Sequence, residues 1–241
     1  MKISTILYQD DHYVAVHKPA GLLVHRTALD SKETTALVQI LRDHIGQMVY
    51  PVHRLDRPTS GVIILALHSE AANKLSNLFK TRKIEKKYQA LVRGYFSSDQ
   101  ILNYPLKEEL DDIADADSDQ SREPQEAITS FRCLNKFEIP DKIDRYPTSR
   151  FSLVEAIPKT GRKHQIRRHL RHLNHPIIGD VSHGDGLQNK YFENRFLKRR
   201  MYLCATELQF QHPFDNRNIL IQSELCEDFK HTLKDLGLND Y

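Results

Sequence analysis

The spacing of apolar residues along the chain predicts strands interspersed with helices. Strands are expected where β-branched and aromatic residues alternate or run together between turn formers, at residues 3–8, 13–16, 22–25, 48–52, 62–67, 86–94, 127–133, 151–157, 202–210 and 219–222. Helices are expected where apolar residues recur every three or four positions, at 36–45, after an N-cap at Ser69, at 162–173 and at 224–236. The short connections favour an α+β fold with a central mixed or antiparallel sheet flanked by helices, in one domain over residues 1–241.

Charge is unevenly distributed along the chain. The formal net charge is only +3, from 35 basic and 32 acidic side chains, which is short of the strongly basic composition typical of nucleic-acid-binding domains. Residues 108–126 are acid-rich, whereas residues 159–171 contain Lys and Arg without any acid, which predicts a local basic surface. The apolar pattern fails between residues 99 and 126, so an exposed or mobile loop is expected there. Its acidic part, residues 108–126, either repels RNA from unproductive surfaces or gates the basic cleft, or it is a solvated, dispensable insertion.

The cysteines and histidines do not form the patterns of a disulfide framework or a metal site. The three cysteines lack CxxC spacing, and the 13 histidines lie without an acid or thiol cluster at ligand spacing. The sequence contains no recognisable amino-terminal signal and no apolar stretch long enough to span a bilayer. We therefore expect a cytoplasmic protein that is not bound to a membrane and uses no metal and no cofactor.

One carboxylate is distinguished by its surroundings. Asp56 lies between Arg54 and Arg57 in the sequence HRLDRPTSG (53–61), which separates two apolar runs. Because Pro58 disfavours a helical conformation at Arg57, Asp56 is expected on a loop at the rim of the sheet, where rigid scaffolds often hold catalytic groups. The alternative is that Asp56 only ties down its own loop through a salt bridge or turn hydrogen bonds.

The basic helix predicted above offers a partner for this carboxylate. Lys163, Arg167 and Arg171 follow one another at helical spacing and would form a basic face that either neutralises RNA phosphates or is merely solvated. One arginine from such a helix could pair with Asp56 and keep it ionised. Tyr88, on a predicted strand, has two possible roles: packing in the core, or a platform on which a base stacks.

Five blocks of sequence together resemble a known family. In chain order they are KPAGLLVH (18–25), HRLDRPTSG (53–61), KKYQALVRG (86–94), TGRKHQIRRH (160–169) and HPIIGD (175–180). These blocks and their order over most of the chain resemble the RluA-type pseudouridine synthases. Within the family the resemblance is closer to a tRNA-modifying subgroup. It implies a pseudouridine-synthase catalytic domain without an amino-terminal S4-like RNA-binding domain.

The resemblance implies roles for individual residues. Asp56 matches the catalytic aspartate, Tyr88 the tyrosine that stacks on the target base and helps to move a proton, and Arg167 the arginine that holds the aspartate. Arg54 is implied to enter the RNA and displace the target nucleotide, and Ile166 to line the pocket. Four neighbouring residues are implied to bind the substrate: Arg162, Lys163, His164 and Arg168. Three positions depart from the broad family pattern and bear on substrate choice: His17, Arg26 and His183.

The implied activity is the isomerisation of uridine to pseudouridine in tRNA, at position 65, by a monomer with no protein partner. The reaction has no net redox change and needs no metal, and one carboxylate suffices where glycoside hydrolysis usually uses a pair. Asp56 could attack C1′ of the ribose, add to the uracil ring, or assist formation of a glycal. Two alternatives stay open: the same chemistry on ribosomal RNA, and an RNA-binding protein without chemistry.

Overall fold

The computed structural model describes residues 5–25, 35–108 and 123–238, which form strands and helices in alternation. The strands are β1 (Ile6–Gln9), β2 (Tyr13–Lys18), β3 (Tyr50–Pro51), β4 (Ser60–Ala66), β5 (Glu85–Arg93), β6 (Gln100–Asn103), β7 (Ile128–Ile139), β8 (Ser149–Pro158), β9 (Leu203–Gln211) and β10 (Asn218–Gln222). The helices are α1 (Leu37–Ile45), α2 (Ser69–Lys80), α3 (Gln165–His172), α4 (Gly186–Phe196) and α5 (Glu227–Asp235). This arrangement confirms the α+β class.

The strands join one mixed sheet. Their order is β1-β2-β4-β9-β5-β8-β7-β6, with β3 paired to β4 and β10 paired to β9. In the described part of the chain, β4 and β9 form the one parallel pair of named strands, and the other pairs are antiparallel. The central, mainly antiparallel sheet predicted from the sequence is therefore confirmed.

The parallel contact between β4 and β9 is short and close. It joins Ser60 to Cys204 and Gly61 to Ala205, and we refer to these four residues as the strand seam. A Cβ atom at Gly61 would lie 2.0 Å from the carbonyl oxygen of Ala205, and Gly61 has a φ of +109°, which favours glycine. The last residue of HRLDRPTSG is therefore glycine because the two strands could not otherwise approach each other here.

Strand β4, which follows the Asp56 loop, is buried on both faces, and this explains its uninterrupted apolar sequence. Ile63 and Leu65 pack in one cluster with residues of α1, whereas Val62 and Ile64 pack in another with residues of α2. Burying each such side chain stabilises the fold by roughly 1.5–3 kcal/mol. The carboxyl end of the Asp56 loop is therefore anchored in the core.

Most predicted elements are present, with bounds shifted by a few residues. The predicted hairpin forms between β1 and β2, where the Asp10 carboxylate accepts the backbone N–H groups of His12 and Tyr13. Helix α1 ends as predicted at Gly46, whose φ of +78° stops the helix. The predicted strands that correspond to β4, β5, β7, β8, β9 and β10, and the last helix, are also confirmed.

Two predicted strands are wrong in part or entirely. Residues 22–25 form no strand, because the carbonyl oxygens of Leu23 and Val24 instead accept the N–H groups of Leu37 and Val38 at the start of α1. The side chains of Leu22 and Val24 are buried, but the backbone caps a helix. The strand predicted at 48–52 shrinks to Tyr50–Pro51, which is exposed rather than buried.

Three further predictions need correction. The N-cap of α2 is His68, not Ser69, because the His68 ring accepts the N–H of Ala71 at 3.3 Å. Strand β6 lies in the segment predicted to be irregular and pairs with β7; residues 109–122 of the acid-rich segment lie outside the described residues. Helix α4 was not predicted, since its buried residues are only Gln188 and Phe192 and its apolar periodicity is weak.

Helix α3 is shorter than predicted and its faces differ. It begins at Gln165, because His164 has a φ of +55° and breaks the helix there. Lys163 therefore lies in the preceding turn, and Arg167 is buried. The predicted basic face of Lys163, Arg167 and Arg171 is wrong.

Candidate active site

The loop that carries Asp56 is held by a buried lysine. Lys18, the last residue of β2, donates hydrogen bonds from Nζ to the carbonyl oxygens of Pro19 (3.0 Å), Leu22 (2.8 Å) and Arg57 (3.1 Å). Burial lowers the pKa of Lys18 to about 7. The lysine ties the segment after β2 to the Asp56 loop. It is not among the residues predicted from the sequence, although it opens the block KPAGLLVH.

Helix α3 is fixed to the sheet by its first residue. The Gln165 side chain donates from Nε2 to the carbonyl of Ile128 and the hydroxyl of Thr129, both at 3.0 Å. Its Oε1 accepts from the hydroxyl of Thr160 and from the backbone N–H of Arg162. All its hydrogen-bonding capacity is thus used against β7 and the turn before α3, which sets the position of the residues one turn on.

Asp56 and Arg167 come from opposite sides of the strand seam and meet. Nη1 of Arg167 lies 3.0 Å from Oδ2 of Asp56, with the Asp56 side chain 24% exposed and the Arg167 side chain 5% exposed. The guanidinium of Arg167 thereby fixes the orientation of the Asp56 carboxylate. The geometry provides one oriented carboxylate that is largely shielded but still open to a ligand.

A second carboxylate, Asp180, fixes the arginine. Its Oδ2 and Oδ1 accept from Nε and Nη2 of Arg167 at 2.7 and 2.8 Å, a two-point contact that sets the plane of the guanidinium. Oδ1 also accepts the backbone N–H groups of Ser182 and His183 at 3.0 Å. Burial alone would raise the pKa of Asp180, but these hydrogen bonds and the Arg167 charge outweigh it and lower the pKa. Asp180 is absent from the sequence predictions; its one signal is its position at the end of HPIIGD.

Tyr88 and Ile166 form the apolar wall beside the carboxylate. Tyr88, on β5, is half-buried and packs against two core clusters, one of which contains Ile166. Ile166 is itself buried, on α3. Burial, and after it the negative charge of Asp56, raise the pKa of the Tyr88 hydroxyl, which therefore stays protonated at neutral pH. The site thus combines an apolar surface, a neutral phenol and a carboxylate.

The remaining predicted substrate-binding residues differ in whether they bind other parts of the chain. Arg162 donates from Nε to the carbonyl of Glu126 at 3.1 Å, and Arg168 donates from Nη1 to the carbonyl of Lys107 at 2.8 Å. Lys163 lies half-buried in the turn before α3. Arg54 is exposed on the Asp56 loop and, within the described part of the chain, makes no hydrogen bond or ion pair.

Comparison with known proteins identifies the family. A family profile described as RNA pseudouridylate synthase matches residues 12–172. The chain belongs to this family. It is 52% identical over 225 residues to tRNA pseudouridine synthase C of Vibrio parahaemolyticus, covering 93% of this chain and 92% of the relative. It is 50% identical over 232 residues to tRNA pseudouridine synthase C of Salmonella typhimurium, covering 96% and 89%. The RluA-type resemblance drawn from the five sequence blocks is confirmed.

Solved structures of pseudouridylate synthase domains share the fold. Human RNA pseudouridylate synthase domain containing 4 superposes with a TM-score of 0.69 at 27% identity, covering 96% of this chain and 92% of the human chain. Human RNA pseudouridylate synthase domain containing 1 gives a TM-score of 0.70 at 23% identity, covering 98% and 95%. The second likeness, at lower identity, concerns the fold alone.

In this pseudouridylate synthase two histidines stand beside the ion pair. Nε2 of His164 lies 3.9 Å from Oδ2 of Asp56, and its Nδ1 lies 3.1 Å from Nε2 of His183. His183 is one of the three positions that depart from the broader family pattern, and it contacts His164, which lies next to Asp56. Neither a metal-binding group of three His, Cys, Asp or Glu nor a helix able to cross a membrane occurs among residues 5–25, 35–108 and 123–238.

Proposed function

We propose that this protein isomerises uridine to pseudouridine in tRNA, at position 65 of the T-stem. Its membership of the RNA pseudouridylate synthase family supports the reaction class. Its relatives named tRNA pseudouridine synthase C, matched over more than nine tenths of the chain, support tRNA as the substrate. The observation that carries the proposal is the ion pair of Asp56 with Arg167, because the reaction needs one ionised, oriented carboxylate.

The reaction rearranges the substrate without adding or removing atoms. The bond between C1′ and N1 breaks, the uracil turns, and a bond forms between C1′ and C5; C5 then loses a proton and N1 carries one. Asp56 acts on the sugar or the base while Arg167 holds it in position. Tyr88 and Ile166 hold the detached uracil in an apolar environment that excludes water, and the neutral Tyr88 hydroxyl is available to move a proton. The isomerisation involves no net electron transfer and so requires no redox cofactor.

The target uridine must leave its helix before it can react. Displacing a paired nucleotide costs a few kcal/mol, which stacking and phosphate contacts offset. Arg54 is exposed beside Asp56 with no partner in the described part of the chain, and it takes the place of the displaced nucleotide. Arg162, Lys163, His164 and Arg168 bind the surrounding RNA. We place the activity in the cytoplasm, where tRNA is available, and in a monomer, since the proposed catalytic residues belong to one chain.

The test is pseudouridine mapping by chemical labelling and primer extension on unmodified tRNA and ribosomal RNA. Wild type is expected to give one labelled stop in the tRNA T-stem, and Asp56→Asn none, with tRNA affinity retained. Asp43→Asn, which removes an exposed carboxylate on α1, is the matched control and should behave as wild type. A stop found only in ribosomal RNA would overturn the substrate, and normal turnover by Asp56→Asn would overturn the role of Asp56.

A further inference from the structure

Lys86 is a half-buried lysine without a partner. It lies on β5, and within the described part of the chain it makes no hydrogen bond or ion pair. The other lysines in comparable positions are satisfied: Lys87 pairs with Glu207 at 2.7 Å, and Lys18 donates to three carbonyl oxygens. Among these lysines, Lys86 alone is removed from water without compensation from the protein.

This arrangement is unfavourable for the folded protein by itself. Burial disfavours the charged form of a lysine unless a partner replaces its lost hydration. Burial accordingly lowers the pKa of Lys86. A methionine or leucine would fill the same space without this cost, so the lysine indicates an anion that residues 5–25, 35–108 and 123–238 do not supply.

The position of Lys86 relates it to the candidate active site. Lys86 lies two residues before Tyr88 on β5, about 7 Å along the strand. The pKa of His53 is lowered to about 3 by burial and secondarily by the positive charge of Lys86. His53 directly precedes Arg54 on the Asp56 loop. Lys86 is therefore two residues from Tyr88 on β5, and its charge acts on the residue that precedes Arg54.

We propose that Lys86 binds a backbone phosphate of the RNA next to the reacting nucleotide. The inference rests on the proposed function, since an RNA substrate supplies one phosphate for each nucleotide. A lysine ammonium is a compact charge with three donors and suits a phosphate oxygen. Asp56 already has Arg167 as its partner, so it does not need the charge of Lys86. The charge of Lys86 is thus available to bind a phosphate of the substrate.

The first experiment compares Lys86→Met with Lys83→Met. Lys83 is exposed, precedes β5 and also has no ionic partner in the described residues, so it controls for the loss of one positive charge. Lys86→Met should weaken tRNA binding about tenfold and lower the slope of log affinity against log salt by about one. Lys83→Met should change affinity by less than about twofold. The melting temperature of Lys86→Met should stay the same or rise, because an uncompensated buried charge is removed.

The second experiment identifies the phosphate. Unmodified tRNA is assembled with a single uncharged methylphosphonate at each phosphate near the target uridine in turn. One such substitution should weaken binding to wild type about tenfold and have little effect on Lys86→Met, because the contact is already lost.

Two outcomes would overturn the proposal. One is wild-type affinity and salt dependence in Lys86→Met; the other is a loss confined to turnover with every methylphosphonate effect unchanged, as expected of a lysine that contacts the base. Either differs from failure of the proposed function, in which wild type itself makes no pseudouridine in tRNA.

Discussion

Replacing Asp180 by asparagine tests the positioning of Arg167 separately from the chemistry that we propose for Asp56. The side chain keeps its size, and its carbonyl oxygen can still accept one N–H. The negative charge that pairs with Arg167 at 2.7 and 2.8 Å is lost, however, and the buried guanidinium retains only Asp56 as an ionic partner among the described residues. We expect Arg167 to turn away from its position, so that turnover falls much more than tRNA affinity.

The loss of stability expected for Asp180→Asn follows from the burial of Asp180. Asp180 is 1% exposed, and removing one partner of a buried, hydrogen-bonded ion pair destabilises a protein by about 3–5 kcal/mol. For a chain of this size each kcal/mol lowers the melting temperature by about 2–4 °C, which gives a decrease of about 6–20 °C. Asp43→Asn removes a carboxylate whose side chain is 66% exposed, and it should cost less than about 0.5 kcal/mol.

The pH dependence gives an independent check. The pKa of Asp180 is lowered from the ordinary 3.8 in the folded protein, so its stabilising effect is fully present above about pH 4 and is lost as pH falls through the folded pKa. The difference in unfolding free energy between wild type and Asp180→Asn, measured by urea denaturation, should be constant from pH 5 to 7 and shrink in stronger acid. Equal stability at pH 7, or a difference that grows on acidification, would refute the reasoning.

Two further predictions concern Tyr88 and Lys18. Tyr88→Phe keeps the ring but removes the hydroxyl, so tRNA affinity should stay within about twofold while single-turnover product formation falls by about 100-fold or more; a normal rate would show that the hydroxyl moves no proton. The pKa of Lys18 is lowered from 10.5 to about 7, so wild-type stability should rise by about 2 kcal/mol between pH 7 and pH 9, as the unfolded chain alone keeps the proton. Urea titrations should show this rise absent in Lys18→Met, and a rise that persists in the variant would contradict the assignment.

The secondary structure was largely predictable because its causes are local. The apolar run of β4 and the glycine stop of α1 each determine their element through burial or backbone conformation. The errors occur where a tertiary contact determines the local backbone structure. Residues 22–25 have the apolar character of a strand, but their carbonyl groups are used by α1. Similarly, nothing in the sequence around His164 indicates the left-handed conformation that shortens α3.

Only those residues of the candidate site that lie in recognisable sequence motifs were predicted. Asp56, Tyr88 and Arg167 were found through the family resemblance, and the structure brings Asp56 and Arg167 into contact. Asp180 and Lys18 were missed because their importance lies in what they touch. A buried lysine among three carbonyl oxygens, and a carboxylate that orients an arginine, have no local sequence signature.

The strand seam explains why a glycine ends the sequence HRLDRPTSG (53–61). Asp56 lies on the loop before β4. Tyr88 lies on β5, which is on the other side of β9 from β4 in the sheet, and Arg167 lies on α3. The spacing between these groups therefore depends on how closely β4 approaches β9. Since a Cβ atom at Gly61 would lie 2.0 Å from the carbonyl oxygen of Ala205, any other residue would force the strands apart. A shift of about 1 Å in a catalytic group can lower a rate about 100-fold, so Gly61 sets the distance between Asp56 and Arg167 without touching either.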